Sequence, residues 1–274
     1  MKLHIGFSPC PNDTFIFDAL INKKIDTGDI EFAAELEDVQ TLNSWAIQGR
    51  LDITKLSYGV LPLVWNHYLL LDSGGALGKG VGPLLISREA PESIAVDRQV
   101  IAIPGENTTA HLLFSLKYPD AKNKVFVRYD EVEKFVMDGK GLGVIIHENR
   151  FTYSAKGLQK ITDLGDYWEQ QTKVPIPLGG IVINKDLPGD VQEKVQRLIR
   201  QSIEYAFENY PVLNDYIRDH SQEMSEEVMR KHIDLYVNNY SLSLGNDGRG
   251  AVNTLIEVYA RMHGNINVPD RIFV

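Results

Sequence analysis

KLHIGFSPCPNDTFIFDALI, residues 2 to 21, sets the fold class. KLHIGFS alternates as a strand does. It runs into Ser8-Pro9-Cys10-Pro11-Asn12-Asp13, a turn rich in helix-starting residues, whose two prolines fix the backbone. From Thr14 to Ile21 the pattern is helical, with Phe15, Phe17, Ala19 and Leu20 among the apolar positions. The same unit then repeats along the chain. Ile30 to Ala34 reads as a strand and Asp38 to Gln48 as a helix, with Val39, Leu42, Trp45 and Ala46 on one face. Gly49 to Leu56 reads as a third strand, and Tyr58 to Trp65 as the start of a helix. Strand, helix, strand, helix, strand predicts an α/β layered domain.

Further along, a glycine-rich passage from Gly74 to Gly82 precedes a strand at 83–87. Glu89 to Arg98 is polar and contains proline, as a crossing between domains would. From Val100 a second, smaller α/β unit begins. Its strands are expected at 100–103, 125–129 and 142–146, and its helices at 108–116 and 131–138. A buried strand follows at 176–183, and the remainder is mostly helical. Val191 to Asn209 carries Val191, Val195, Leu198, Ile199, Ile203 and Ala206 on one face. Helices at 229–236 and 251–262 complete the chain. This element order resembles the type II periplasmic-binding-protein architecture, two α/β lobes with a helical C-terminal part. On that reading the larger lobe uses residues 1–92 and 176–274, and the smaller uses 93–175. The active site then lies in the cleft between them, beyond the carboxyl ends of the strands.

Composition narrows the function. The chain has 274 residues and a net charge of -9, which argues against nucleic acid and against an anionic membrane surface. No apolar run reaches the ~18 residues of a membrane span, and the N-terminus shows no secretory h-region, so a cytoplasmic protein is expected. The single cysteine, Cys10, allows no intramolecular disulfide and forms no metal motif. Oligomeric state is left open.

Four polar clusters fall at expected strand ends. The first is Ser8 to Thr14, in which Asn12, Asp13 and Thr14 are candidate helix caps. Thr54-Lys55-Leu56-Ser57-Tyr58 offers an ammonium and hydroxyls to a ligand; alternatively, Ser57 caps a helix and Lys55 is solvated. Gly105 to Ala110 opens a helix whose free N–H groups favour an anion. It lacks the GK[ST] of a nucleotide-binding P-loop, and the Gly74–Gly82 passage fails as a dinucleotide fingerprint. The last cluster, GLGVIIHENRFTY (141–153), brings His147, Glu148 and Arg150 to a strand end. His147 is there either a proton acceptor or a turn histidine. The other six histidines, His232 included, read as helical or surface residues. There is no HExxH and no GxSxG.

SPCPNDTFIF, LEDVQTLNSWA, TKLSY, SGGALGKGVGPL, ENTTA, IIHENRFTY and PLGGIVI, in this order, resemble the 1,4-dihydroxy-6-naphthoate synthase family of the futalosine route to menaquinone. The resemblance covers nearly the whole chain. It implies a lyase that releases the sugar-derived part of cyclic dehypoxanthine futalosine, with no metal or organic cofactor and a small-molecule substrate carrying a carboxylate. His147 matches the family's proton acceptor. Lys55, Leu56, Ser57, Thr109 and Ala110 match its substrate-contacting segments, and Asn43 is carried over from the LN-x-W motif. The related chorismate dehydratase and a non-catalytic solute-binding protein are the competing readings.

Overall fold

The structure, a computed structural model, describes residues 1–91, 94–221, 225–264 and 266–274. Among these, the strands in chain order are β1 (Lys2–Phe7), β2 (Glu31–Leu36), β3 (Ile53–Ser57), β4 (Tyr68–Leu70) and β5 (Ala76–Gly78). Then come β6 (Leu84–Ser87), β7 (Ile101–Ile103), β8 (Lys124–Phe126), β9 (Leu142–Ile145), β10 (Gln159–Asp163) and β11 (Ile176–Asn184). They form two mixed sheets, one ordered β2-β1-β3-β11-β4 with β5 also on β11, the other β10-β6-β9-β7-β8. In the first, β1 lies parallel to β2 and β3 while β11 returns antiparallel to β3. In the second, β7 lies parallel to β8 and β9.

The opening strand behaves as its alternation requires. Leu3, Ile5 and Phe7 are buried, Lys2 and His4 exposed, and Phe7 stacks on Phe17 at 4.4 Å between ring centroids. The following helix starts earlier than expected, at Pro11, and runs to Ile21. Proline suits the first helical position because its missing N–H would have no partner there. Asn12, Asp13 and Thr14 are therefore helical residues and not caps; Cys10 occupies the cap position. The helix is buried from Pro11 to Leu20 because the sheet lies on one side and the helix Gly189–Asn209 on another. That long helix turns Val195, Leu198, Ile199 and Ile203 inward, as the 3.6-residue period requires.

Strand β6 departs from the expected division of the chain. It lies inside the 1–92 segment, yet it is hydrogen bonded between β9 and β10 in the second sheet. The crossing is therefore the glycine-rich passage before Leu84, and not the polar segment after Glu89. The expected boundary itself, at residues 92 and 93, lies outside the described residues. After β11 come helices 189–209, 215–220, 226–236, 239–242 and 245–263. No described helix is long and apolar enough to cross a membrane.

Candidate active site

The carboxyl ends of β1, β3, β7 and β9 carry the four polar clusters, and these meet at one cavity between the sheets. Its volume is about 100 Å³. Lys55, Leu56, Ser57, Thr109, Ala110 and His147 all line it, joined by Ser8, Asn12, Asp13, His232 and Tyr236.

His147 sits two residues past β9 with φ 58°, a left-handed conformation that β-branched residues avoid and histidine tolerates. This twist swings the ring out of the strand's line, between Tyr129 (centroids 5.0 Å apart) and His232 (5.9 Å apart, planes 23° from parallel). Desolvation lowers its pKa below the ordinary histidine value. The carboxylates of Glu148, Asp13 and Asp38 pull the other way, and Lys55 adds to the lowering. The result is a neutral imidazole at the cavity wall.

Its two polar neighbours do different things. Arg150 donates to the carbonyls of Gly82 and Gly80, the latter at 2.7 Å, and pairs with Asp163 at 3.0 Å. It ties the turn after β9 to the crossing passage. Glu148 is buried, with Oε2 lacking a hydrogen-bond partner and lying 3.5 Å from Nδ1 of His232.

Lys55 is not solvated. It is buried, 3.2 Å from Asp13 Oδ1, and donates to the Gly74 carbonyl at 2.9 Å. Asp13 in turn accepts from Ser8 Oγ at 2.7 Å, from the Ser8 N–H at 3.2 Å and from Asn12 Nδ2 at 2.9 Å. One carboxylate thus holds the end of β1, its own helix and β3 together. Asn43 is absent from the cavity lining. Its amide accepts from the Ser57 N–H at 2.9 Å and donates to Ser57 Oγ at 3.1 Å and to the Asn107 carbonyl at 2.8 Å. It positions Ser57 from behind.

The Thr109 hydroxyl accepts from the Gly59 N–H at 3.0 Å and donates to the Leu178 carbonyl at 2.7 Å. Thr109 follows β7, whereas Gly59 and Leu178 belong to the first-sheet side, so this hydroxyl latches the two sides across the cavity. The Asn107 N–H reinforces it by donating to Gln40 Oε1 at 2.9 Å. The helix Thr109–Lys117, capped by Thr108, points its N-terminus at the cavity, where the backbone N–H groups are suited to an anion.

Sequence reasoning missed His232, Tyr236 and Tyr129. The helix Glu226–Tyr236 buries Met229, His232, Ile233 and Tyr236. These are spaced i, i+3, i+4 and i+7, so the available signal was a histidine on an otherwise apolar stripe. Folding also brings one donor atom each of Cys10, His147 and Glu148 within 4.8 Å of one another. Burial, followed by the Glu148 charge, pushes the Cys10 thiol well above its usual range, so in this arrangement it stands protonated.

A profile for menaquinone biosynthesis matches residues 3–261. The chain belongs to the menaquinone-biosynthesis family. That match spans both sheets, the cavity and the helix carrying His232. The chain is 44% identical over 254 residues to a 1,4-dihydroxy-6-naphthoate synthase of Thermus thermophilus, covering 92% of each. It is 40% identical over 263 residues to one of Streptomyces coelicolor, covering 93% of this chain and 91% of that protein. A solved structural-genomics protein from Archaeoglobus fulgidus superposes with a TM-score of 0.90 at 32% identity, covering 96% of this chain and 98% of that one. A Candida albicans protein described as having the generic periplasmic-binding-protein fold gives 0.66 at 12% identity, covering 100% of this chain and 98% of its own. This family member therefore has the periplasmic-binding-protein-like fold.

Proposed function

We propose that this chain is a lyase that converts cyclic dehypoxanthine futalosine to 1,4-dihydroxy-6-naphthoate, with its active site between a larger lobe on the first sheet and a smaller one on the second. The observation that carries the reading is His147, a histidine kept neutral by burial at the cavity wall. It stands in a chain matched over nine-tenths of its length by proteins named for this synthase. His147 takes the proton alpha to the substrate ketone, and the electron pair enters the enolate. Elimination from the enolate follows, and the carbon–carbon bond to the sugar-derived portion then breaks, its electron pair completing the aromatic naphthalenediol while the departing carbon leaves as a carbonyl. Aromatisation supplies the downhill drive, so the protein must supply a base, an oriented substrate and donors to developing oxyanion charge.

The substrate carboxylate goes to the N–H groups at Thr109 and Ala110. Lys55 already has Asp13 as its counter-ion, and the Thr109 hydroxyl is engaged in the latch, so neither is the primary anion site. Ser57, fixed by Asn43, orients a ring hydroxyl. The Thr109 latch closes the two sides over a cavity of about 100 Å³, and its opening is the step that admits substrate.

Incubating the purified protein with cyclic dehypoxanthine futalosine should yield 1,4-dihydroxy-6-naphthoate by chromatography and absorbance, with no turnover of chorismate. Chorismate turnover would move the chain to the dehydratase reading. Ligand binding without any product would make it a binding protein. The latch gives a second test. A methyl group at Gly59 would stand 2.9 Å from the Thr109 nitrogen and 3.0 Å from the Thr108 carbonyl carbon and oxygen, all backbone atoms. Gly59→Ala therefore wedges the closed state apart and should lower kcat/KM roughly 10- to 100-fold. Unchanged kinetics would remove closure at this contact from the mechanism.

A further inference from the structure

His232 is the one histidine with no accessible surface, and neither ring nitrogen has a hydrogen-bond partner. Proteins seldom tolerate this, since a buried polar group without a partner loses its hydration and gains nothing in exchange. The ring nevertheless lines the cavity, stacked on His147 and 4.8 Å from the ring of Tyr236. Glu148 is near enough to pair with it at 3.5 Å, yet its facing oxygen is also unpartnered, so the two do not satisfy one another. A further acceptor without a partner, Asn12 Oδ1, belongs to the lining of the same cavity.

We infer that His232 is a substrate-contacting residue: its ring is covered in this closed arrangement, and the opening that admits substrate brings a ring nitrogen within hydrogen-bond reach of a neutral substrate oxygen, a ketone or a sugar-derived hydroxyl. The cavity divides by chemistry. The helix start at Thr109 suits the anionic end, whereas a neutral imidazole offers one donor and one acceptor, the complement of a hydroxyl or carbonyl. The groups facing His232 are His147, Glu148 and Tyr236. Desolvation first, and then His147, hold it uncharged, which fits a neutral partner. An unpartnered ring in the free protein is a local instability that substrate relieves, so the interaction favours the bound state.

The inference rests on the proposed reaction, and the two fail differently. If the reaction is wrong, the wild-type protein makes no naphthoate; if His232 is wrong, the wild type turns over and the variants match it. His232→Leu removes both nitrogens at similar volume, and His232→Gln restores a donor and an acceptor. The expected result is a fall in kcat/KM of roughly tenfold or more for His232→Leu, the worth of one buried hydrogen bond. His232→Gln should recover part of it. The Tm of ligand-free His232→Leu should be equal to or above that of the wild type, because no partnerless polar group remains. The Tm increase on adding 1,4-dihydroxy-6-naphthoate should shrink. A purely structural histidine would give the opposite, a lower Tm in both variants. The inference is overturned by kcat/KM within about twofold of wild type for His232→Leu, or by both variants melting early with an unchanged product-induced shift.

Discussion

His147→Asn is expected to lower kcat by roughly 10²- to 10⁴-fold, the range that a positioned general base contributes. Asparagine is the informative replacement, because position 147 has φ 58° and asparagine enters the left-handed region at little cost. A β-branched replacement would mix backbone strain with the loss of the base. The melting temperature of His147→Asn should stay near that of the wild type, since the ring is only partly buried and contributes aromatic contacts, not a core ion pair. The wild-type pH profile offers a companion measurement. The neutral imidazole is the active form, and burial lowers its pKa, so activity persists as pH falls. The acid limb of kcat/KM should therefore lie below the ~6.5 of an ordinary histidine. Wild-type turnover by His147→Asn, or an acid limb displaced upward, would assign the proton to another group.

The second large effect is on stability. Lys55→Met should destabilise the protein by about 3–5 kcal/mol, because it strands the nearly buried Asp13 carboxylate without its counter-ion. The two side chains are only 6% and 3% exposed and lie 3.2 Å apart. Ser8 and Asn12 still donate to Asp13, but these are neutral donors and leave a net buried charge. The pair Lys55→Met with Asp13→Asn removes both charges and should recover much of the loss. Denaturant unfolding of the two single variants and the double variant gives the coupling directly. If Lys55→Met unfolds within about 1 kcal/mol of wild type, the pair behaves as a surface salt bridge and the burial argument falls.

Local pattern carried most of the architecture. The alternation in KLHIGFS, the prolines after it and the apolar stripe from Val195 to Ile203 each report on their own neighbourhood, so one sequence suffices to read them. β6 escaped this logic. LLIS is four residues buried on both faces, with no alternation to reveal which sheet holds it. The helix start at Pro11 was hidden by the polar first turn, which is inside the protein because other elements cover it.

Six of the seven expected site residues line the cavity, since strand ends can be located from pattern and resemblance alone. Their division of labour cannot. Lys55 and Asp13 are 42 positions apart and meet only because β3 is the parallel neighbour of β1. Asn43 turned out to hold Ser57, and the Thr109 hydroxyl to latch the two sides, because hydrogen-bond partners depend on which backbone lies opposite. His232 is the extreme case. It is 85 residues beyond His147, and its one local signal, a place on the apolar stripe of Met229, Ile233 and Tyr236, marks it as buried but not as part of the site. The chain's own pattern therefore fixed the α/β layers and the strand ends where chemistry gathers, because periodicity and turn residues act over a few positions. Tertiary structure alone decided which groups are paired, which are latched and which wait without a partner, because burial and pairing arise only when distant segments meet.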